Sequence, residues 1–263
     1  MTSDSLFHIV LAQINVIFGK PEENFEHITR KLNGITFNQE NNLIVLPELF
    51  ATGYDLQAIK SNSQSLNESK IVGFLKKIAK NKNSFVYASV PELFENKVFN
   101  TGVLINPSGD ILSFYRKIHL FKPLKEDLAF LPGEKVITTN SIFGQVGLSI
   151  CYDLRFAELY VNQRNEGAKI FLICAEWPIT RIQHWKTLVQ ARAIEHQTLM
   201  IALNRVGEDP TGIYGGNSLI VAPDGEILIQ ADGKETILEY NLDFQEKINI
   251  PFLFNIKTER RLS

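Results

Sequence analysis

The chain has 263 residues, 44% hydrophobic and 21% charged, and its 27 Lys and Arg against 29 Asp and Glu leave a formal net charge of −2. A chain of this size can bury a full core, and the near-neutral balance excludes a basic field for nucleic acid or for a membrane surface. Two cysteines far apart in sequence, Cys151 and Cys174, exclude a disulfide framework and, with no C-x-x-C, a zinc ribbon.

The opening "MTSDSLFHIVLAQ" lacks a basic region ahead of its short apolar run, so it does not read as a signal peptide. No apolar stretch approaches the ~18 residues of a membrane span. A reducing cytoplasm is the expected location, where free thiols persist.

"FHIVLA" (7–12) reads as a buried strand, and "PEENFEHITRKLNG" (21–34) as a helix. Pro21 and two acids sit in its first turn, Phe25, Ile28 and Leu32 share a face, and Gly34 can end it. "NLIVL" (42–46) is a strand, "ESKIVGFLKKIAKN" (68–81) a helix through Ile71, Phe74, Leu75 and Ile78, and "SFVYASV" (84–90) a strand. Two strand-like runs then surround Pro107-Ser108-Gly109-Asp110, a hairpin signal that returns at Pro223-Asp224-Gly225. The pair reads as a weak internal repeat. Between them come "QVGLSIC" (145–151, strand), "LRFAELYVNQRNEG" (154–167, helix), "KIFLICA" (169–175, strand), "ITRIQHWKTLVQARAIEHQ" (179–197, helix) and "TLMIALN" (198–204, strand). With no linker in sight, one α/β domain over residues 1–263 is the economical reading. The pattern leaves open a doubly wound sheet or a sandwich of two sheets.

In α/β sheets, sites gather just past the carboxyl ends of strands. That rule nominates Glu48, Glu92, Lys117, Cys151, Glu176, Trp177 and Arg205. Glu48 lies in "VLPELF" and Glu92 in the near copy "SVPELF", so local sequence alone does not separate them. Cys151 sits where a buried strand turns into a helix, whose free amides would favour a thiolate. The Tyr152 amide would be a natural oxyanion donor. A buried structural cysteine is the bland alternative, and Cys174, inside a strand, reads as core. The nucleophile needs a base. His119 is one candidate. A glutamate whose pKa is raised by an apolar frame such as "VLPELF" is the other.

Taken in order, "IVLPELF" (44–50), "FYRKIHLF" (114–121) and "LSICYDLRFAELY" (148–160) resemble the motifs of the nitrilase superfamily of carbon–nitrogen hydrolases. The likeness extends through "SVPELFENKVFNTGVLINPSGDIL", the "AEWPITRIQHWKTLVQARAIEHQ" helix, "NRVG", "NSLIVAPDGEIL" and the tail "INIPFLFNIKTERRL". "CYDLRF", the later "WP" and "HW" are similar to the omega-amidase-like branch, which removes the terminal amide of short dicarboxylic acid monoamides such as α-ketoglutaramate.

The resemblance implies an α/β fold, a four-layer α-β-β-α sandwich of two mixed β-sheets with outer helices. It implies Glu48 as base, Lys117 as oxyanion stabiliser and Cys151 as nucleophile, and it chooses Glu48 over Glu92. It places a further glutamate at Glu126 in "LKEDLAFLPGE", with Asp127 as the competing neighbour. It implies no metal or other cofactor. Substrate contacts are expected from the Tyr152 amide, from Trp177 as a pocket wall, and from Arg181 on an anionic tail, with Arg155 and Arg205 behind it. Members of the branch commonly pair, which makes the helices at 154–166 and 181–197 the expected homodimer interface. The partner expected otherwise is a small-molecule amide, with neither nucleic acid nor membrane. On the same three residues, a nitrilase, an N-carbamoyl amidohydrolase or an acyl-transfer enzyme is the alternative.

Overall fold

A computed structural model describes residues 6–37, 41–243, 246, 247 and 259. The first half of the chain runs through strand β1 (Leu6–Gln13), helix α1 (Pro21–Asn33), strand β2 (Asn42–Val45), helices α2 (Leu56–Asn62) and α3 (Lys70–Asn81), and strands β3 (Ser84–Phe94), β4 (Lys97–Ile105) and β5 (Ile111–Arg116). A single turn, α4 (Glu126–Ala129), leads to β6 (Thr138–Ser141), β7 (Gly144–Ile150), α5 (Ala157–Asn165), β8 (Ile170–Ala175), α6 (Ile182–His196) and β9 (Leu199–Asn204). A small ribbon of β10 (Val206–Asp209) and β11 (Gly212–Gly215) precedes β12 (Leu219–Val221), β13 (Ile227–Gln230) and β14 (Thr236–Asp243).

Two six-stranded sheets form the centre, ordered β14-β1-β2-β3-β4-β5 and β13-β12-β9-β8-β7-β6. Each has three parallel strands at its middle, β1, β2 and β3 in one and β7, β8 and β9 in the other. Each is closed on one side by a single antiparallel strand, β14 or β6. The other side carries an antiparallel hairpin, β4–β5 or β12–β13. The repeated hairpin in the sequence is thus part of a larger repetition. Its two turns close alike: Asn106 N–H bonds the Asp110 carbonyl at 2.9 Å, and Ala222 N–H bonds the Glu226 carbonyl at 2.8 Å. Gly109 and Gly225 occupy equivalent positions with φ of 81° and 93°, a region that disfavours any side chain.

Strand side chains alternate between faces, and β1 shows what each face meets. Ile9 and Leu11 join the core cluster that spans both sheets, whereas Val10 and Ala12 pack with Ile28 and Leu32 of α1 and Leu75 and Ile78 of α3. Leu159 and Tyr160 of α5 and Trp185 and Val189 of α6 cover the outer face of the second sheet. This is the four-layer α-β-β-α arrangement. The sheets are also tied directly: the Tyr87 hydroxyl on β3 donates to the Ser149 carbonyl on β7 at 2.8 Å.

Local sequence accounts for the helices. Pro21 and two acids open α1 as expected, and Phe25 stacks on Phe74 of α3 with centroids 4.2 Å apart. Ser69 caps α3 by accepting from the Val72 N–H.

Two expectations need correction. Strand β3 does not stop before the second "PELF" but runs through it to Phe94, so Glu92 lies within a strand, opposite Phe99 of β4. No α-helix starts at Cys151: a 3₁₀ turn, Cys151–Arg155, intervenes, and α5 begins at Ala157. Helix α2, in a segment to which the sequence pattern assigned no element, is capped by Asp55, whose side chain accepts from the Gln57 and Ala58 N–H groups. The "INIPFLFNIKTERRL" tail lies outside the described residues apart from position 259.

Candidate active site

Glu48 follows β2 and Lys117 follows β5, in the first sheet, while Cys151 follows β7 in the second. Glu126 comes from the one-turn α4. The fold brings all four together at the carboxyl ends of the strands, and sheet register does most of the placing. The Lys117 N–H bonds the Asn100 carbonyl on β4 at 2.9 Å, and the Gly133 N–H bonds the Lys117 carbonyl at 2.8 Å. A Cβ on Gly133 would stand 2.2 Å from the Arg116 carbonyl oxygen, so only glycine lets this loop lie against the lysine strand.

The Lys117 ammonium donates to Glu48 Oε1 and to both oxygens of Glu126, each at 2.8 Å. All three residues are buried. Asn100 Nδ2 donates to Glu48 Oε1 at 2.9 Å and to Glu126 Oε1 at 3.1 Å. The Tyr54 hydroxyl donates to Glu48 Oε1 at 2.7 Å. Glu48 Oε2 accepts the Glu176 N–H at 3.0 Å, and Glu126 Oε2 accepts the Phe121 N–H at 2.6 Å. Asp127, the competing neighbour, points out to solvent as an exposed residue. Cys151 Sγ lies 3.8 Å from the Glu176 carbonyl oxygen. Its residue keeps 7% of its surface while Glu48, Lys117 and Glu126 keep none, so Cys151 is the least enclosed of the four.

The electrostatics differ from expectation in two ways. Burial raises the Glu48 pKa, but the Lys117 charge and the hydrogen bonds from Lys117 and Tyr54 outweigh it and hold the carboxyl below the usual range. The apolar frame therefore does not make Glu48 a weak acid, because the frame contains an ammonium. Burial, reinforced by the Glu48 charge, pushes the Cys151 thiol well above its ordinary value. The resting site is thus a thiol beside a carboxylate, not a thiolate. Glu126 goes the other way from Glu48: burial raises it, and repulsion from Glu48 adds to that against the pull of Lys117. One ammonium between two buried carboxylates leaves an excess negative charge, and the pair divides it unequally. Cys151 also has a positive φ, 45°, and so does Leu49, directly after Glu48, at 43°. Left-handed backbone at a non-glycine residue costs roughly 1–2 kcal/mol and places the sulfur on a sharp turn out of the strand.

Glu92 is bound elsewhere. It accepts the Thr101 hydroxyl at 2.6 Å and a forked pair of bonds from Arg116 at 2.8 and 2.7 Å, tying β3, β4 and β5 together on their outer face. His119 gives its Nδ1 to Asp153 at 2.7 Å and stacks on Phe156, not on the thiol. Cys174 is buried in β8, as core. Arg205, one of the reserve cations, is buried and committed to Asp209 at 2.7 Å and Glu176 at 3.2 Å. It is therefore unavailable to a substrate tail, because drawing it away would strand two buried carboxyls.

Arg181 and Arg155 remain at the rim, and neither has a carboxylate partner among the described residues. Arg181 is exposed, 5.8 Å from the centre of the Phe121 ring. Arg155 lies 4.8 Å over Trp177 and 5.9 Å from Tyr152. Partial burial lowers the Arg155 pKa, and the nearby charge of Arg181 contributes. Trp177 is buried, donating from Nε1 to the Arg181 carbonyl at 2.8 Å, so it fixes the arginine segment as well as flooring Arg155. Tyr152 tilts against Phe121 at 4.9 Å, and its amide belongs to the first turn, where N–H groups lack intrahelical partners. Tyr54 and Asn100, which touch both glutamates, went unnoticed in the sequence. Asn100 would have been found from the β4–β5 register, but no motif marks either residue. Among the described residues, no group of three or more His, Cys, Asp or Glu side chains is placed to hold a metal ion.

The two mixed sheets, their outer helices and this buried group define a class of enzyme. The family model for carbon–nitrogen hydrolases matches residues 9–251, and the chain belongs to that family. It is 35% identical to a 2-oxoglutaramate amidase of Paenarthrobacter nicotinovorans, over 95% of this chain and 89% of that one. It is 33% identical to a hydrolase of the agr operon of Staphylococcus aureus, over 95% of this chain and 98% of that one. Among solved structures, Saccharomyces cerevisiae Nit3, a member of branch 10 of the nitrilase superfamily, superposes with a TM-score of 0.81 at 26% identity, covering 95% of this chain and 96% of Nit3.

Proposed function

We propose that this enzyme hydrolyses the terminal amide of small dicarboxylic acid monoamides, of the α-ketoglutaramate and succinamate type, to the acid and ammonia. The observation that carries the reading is a thiol beside a buried carboxylate and ammonium, with two guanidinium groups at the rim that have no carboxylate partner among the described residues. Glu48 takes the Cys151 proton as the sulfur attacks the amide carbonyl. Because the resting thiol is a weak acid and Glu48 a strong one, proton transfer accompanies attack instead of preceding it. Lys117 Nζ and the Tyr152 N–H hold the oxyanion. Glu48 then passes the proton to the departing nitrogen, and ammonia leaves a thioester on Cys151. Water enters, Glu48 takes one of its protons, and hydroxide adds to the thioester carbonyl. Collapse releases the acid, and the sulfur regains its proton from Glu48. Glu126 holds Lys117 in place. The same reading takes residues 1–263 as one catalytic domain in a reducing compartment, with two chains joined through α5 and α6. Ile194 of α6, 47% exposed, supports that contact, and light scattering across a dilution series tests it.

Arg155 and Arg181 would take the distal carboxylate, with Trp177 as the wall beneath. The Arg155→Ala/Arg181→Ala double variant is expected to raise KM for succinamate about tenfold or more, from loss of charge-assisted hydrogen bonds, and to change KM for uncharged propionamide far less. Equal effects on both amides would reject the assignment. Ammonia release from α-ketoglutaramate, succinamate, a simple nitrile and an N-carbamoyl amino acid tests the reaction itself. Release from neither monoamide sinks the amidase reading; release from the nitrile or the carbamoyl compound alone selects the corresponding alternative.

A further inference from the structure

Asp153 is buried two residues beyond the nucleophile and touches no other member of the cluster, yet its carboxylate is fully engaged. Oδ2 accepts the Ile150 N–H at 3.0 Å and the Tyr115 hydroxyl at 2.8 Å. Oδ1 accepts the His119 N–H at 3.1 Å and His119 Nδ1 at 2.7 Å. Ile150 is the residue immediately before Cys151. Tyr115 and His119 flank Lys117, two residues before and two after it. The Tyr115 hydroxyl in turn accepts the Ile118 N–H at 3.2 Å. A single carboxylate therefore bolts the turn that carries the thiol, in the second sheet, to the strand end that carries the ammonium, in the first.

We propose that Asp153 is a positioning residue that sets the distance between Cys151 and Lys117, and that His119 is its clamp. Two features give such a bolt a role. The left-handed backbone at Cys151 does not persist unless its surroundings over-determine it. Within the buried group Lys117 is linked to the sulfur through the Glu48 side chain, which bonds both, whereas Asp153 ties the two backbone segments directly. A carboxylate accepts only, so His119 Nδ1 carries the hydrogen. The imidazole is stacked on Phe156 at 3.7 Å and 5° between planes, so it cannot swing away without losing that contact. A His–Asp pair near a cysteine in sequence looks like a nucleophile's base and its orienting acid, but here the histidine serves the acid.

The inference rests on Cys151 and Lys117 acting as proposed, so its test reads the thiol directly as well as through turnover. Asp153→Asn, His119→Ala, His119→Asn and the Asp153→Asn/His119→Ala double variant are compared for kcat, KM, melting temperature and the rate at which iodoacetamide alkylates Cys151. Asp153→Asn is expected to lower kcat about 10- to 100-fold, the scale of a misplaced reacting group, with KM within about threefold and the alkylation rate changed. His119→Ala is expected to lower kcat by a smaller factor, and His119→Asn, which restores a donor, to recover much of it. The double variant is expected to be no worse than Asp153→Asn alone, since both act through one contact. If Asp153→Asn does not fold, the two His119 variants at a side chain 26% exposed carry the test. Values of kcat for Asp153→Asn and His119→Ala within twofold of wild type overturn the proposal. So does a loss that only tracks the folded fraction. An active Cys151→Ala variant would instead reject the catalytic reading beneath it.

Discussion

Replacing Cys151 with alanine should abolish ammonia release while leaving the melting temperature close to that of the wild type. Loss of a covalent nucleophile costs on the order of 10⁶ in kcat in a well-studied hydrolase. Alanine accepts the same backbone and removes only a sulfur from a residue that is already a buried neutral thiol. Lys117→Met makes the opposite contrast. The missing oxyanion donor should lower kcat about 10²–10³-fold, and the fold should suffer too. Glu48 and Glu126 would face each other with no ammonium between them, and breaking a buried pair by removing one partner costs roughly 3–5 kcal/mol. Measuring turnover and thermal unfolding together on both variants separates the two roles. A stable, active Cys151→Ala protein would end the mechanism, and a Lys117→Met protein as stable as wild type would show that the carboxylates share a proton without its help.

The two copies of "PELF" supply the second large effect. Glu48→Gln is expected to lower turnover about 10²–10⁴-fold, the usual value of a positioned base. Glu92→Gln is expected to keep most turnover but to lose about 1–3 kcal/mol of stability, because Arg116 keeps its charge and loses an ionised partner. The pH profile belongs to Glu48 and Glu126. With Glu48 held low by Lys117 and Glu126 pushed up, the site carries its needed negative charge on Glu48 at neutral pH. kcat/KM should fall toward acid as the coupled pair takes up a proton, and Glu126→Gln should move that limb. A limb at the same pH in Glu126→Gln would show that the two carboxylates titrate independently.

The central strands of both sheets, helices α1, α3, α5 and α6 and the hairpin repeat, but not the edge strands β6 and β14, could be read from apolar periodicity and turn signals. The second "PELF" could not, because a proline after an apolar run reads as a strand end. In β3 the ladder to β4 continues past Pro91, and the pairing of Glu92 with Thr101 and Arg116 depends on residues 9 and 24 positions away. Helix α2 was missed because only Ala58 and Ile59 of its residues are buried, too few to show a period. The pKa directions were missed for a related reason: burial could be guessed from "VLPELF", but Lys117 enters the same pocket from 69 positions away. Arg205 was attractive as a strand-end cation until its partners at Glu176 and Asp209 appeared.

Strand β14 gives the fold a particular order of assembly. It is the last strand of the described chain, yet it lies beside the first, with Leu6 opposite Asp243 and Gln13 opposite Thr236. During synthesis β1, β2 and β3 emerge early and can pair among themselves, but the outer edge of β1 waits for residues made some 230 positions later. Until then the nascent chain exposes an apolar strand edge, which invites pairing with another chain. A ribosome-stalled or truncated product ending before Thr236 should therefore aggregate or bind chaperones even though it already holds Glu48, Lys117, Glu126 and Cys151.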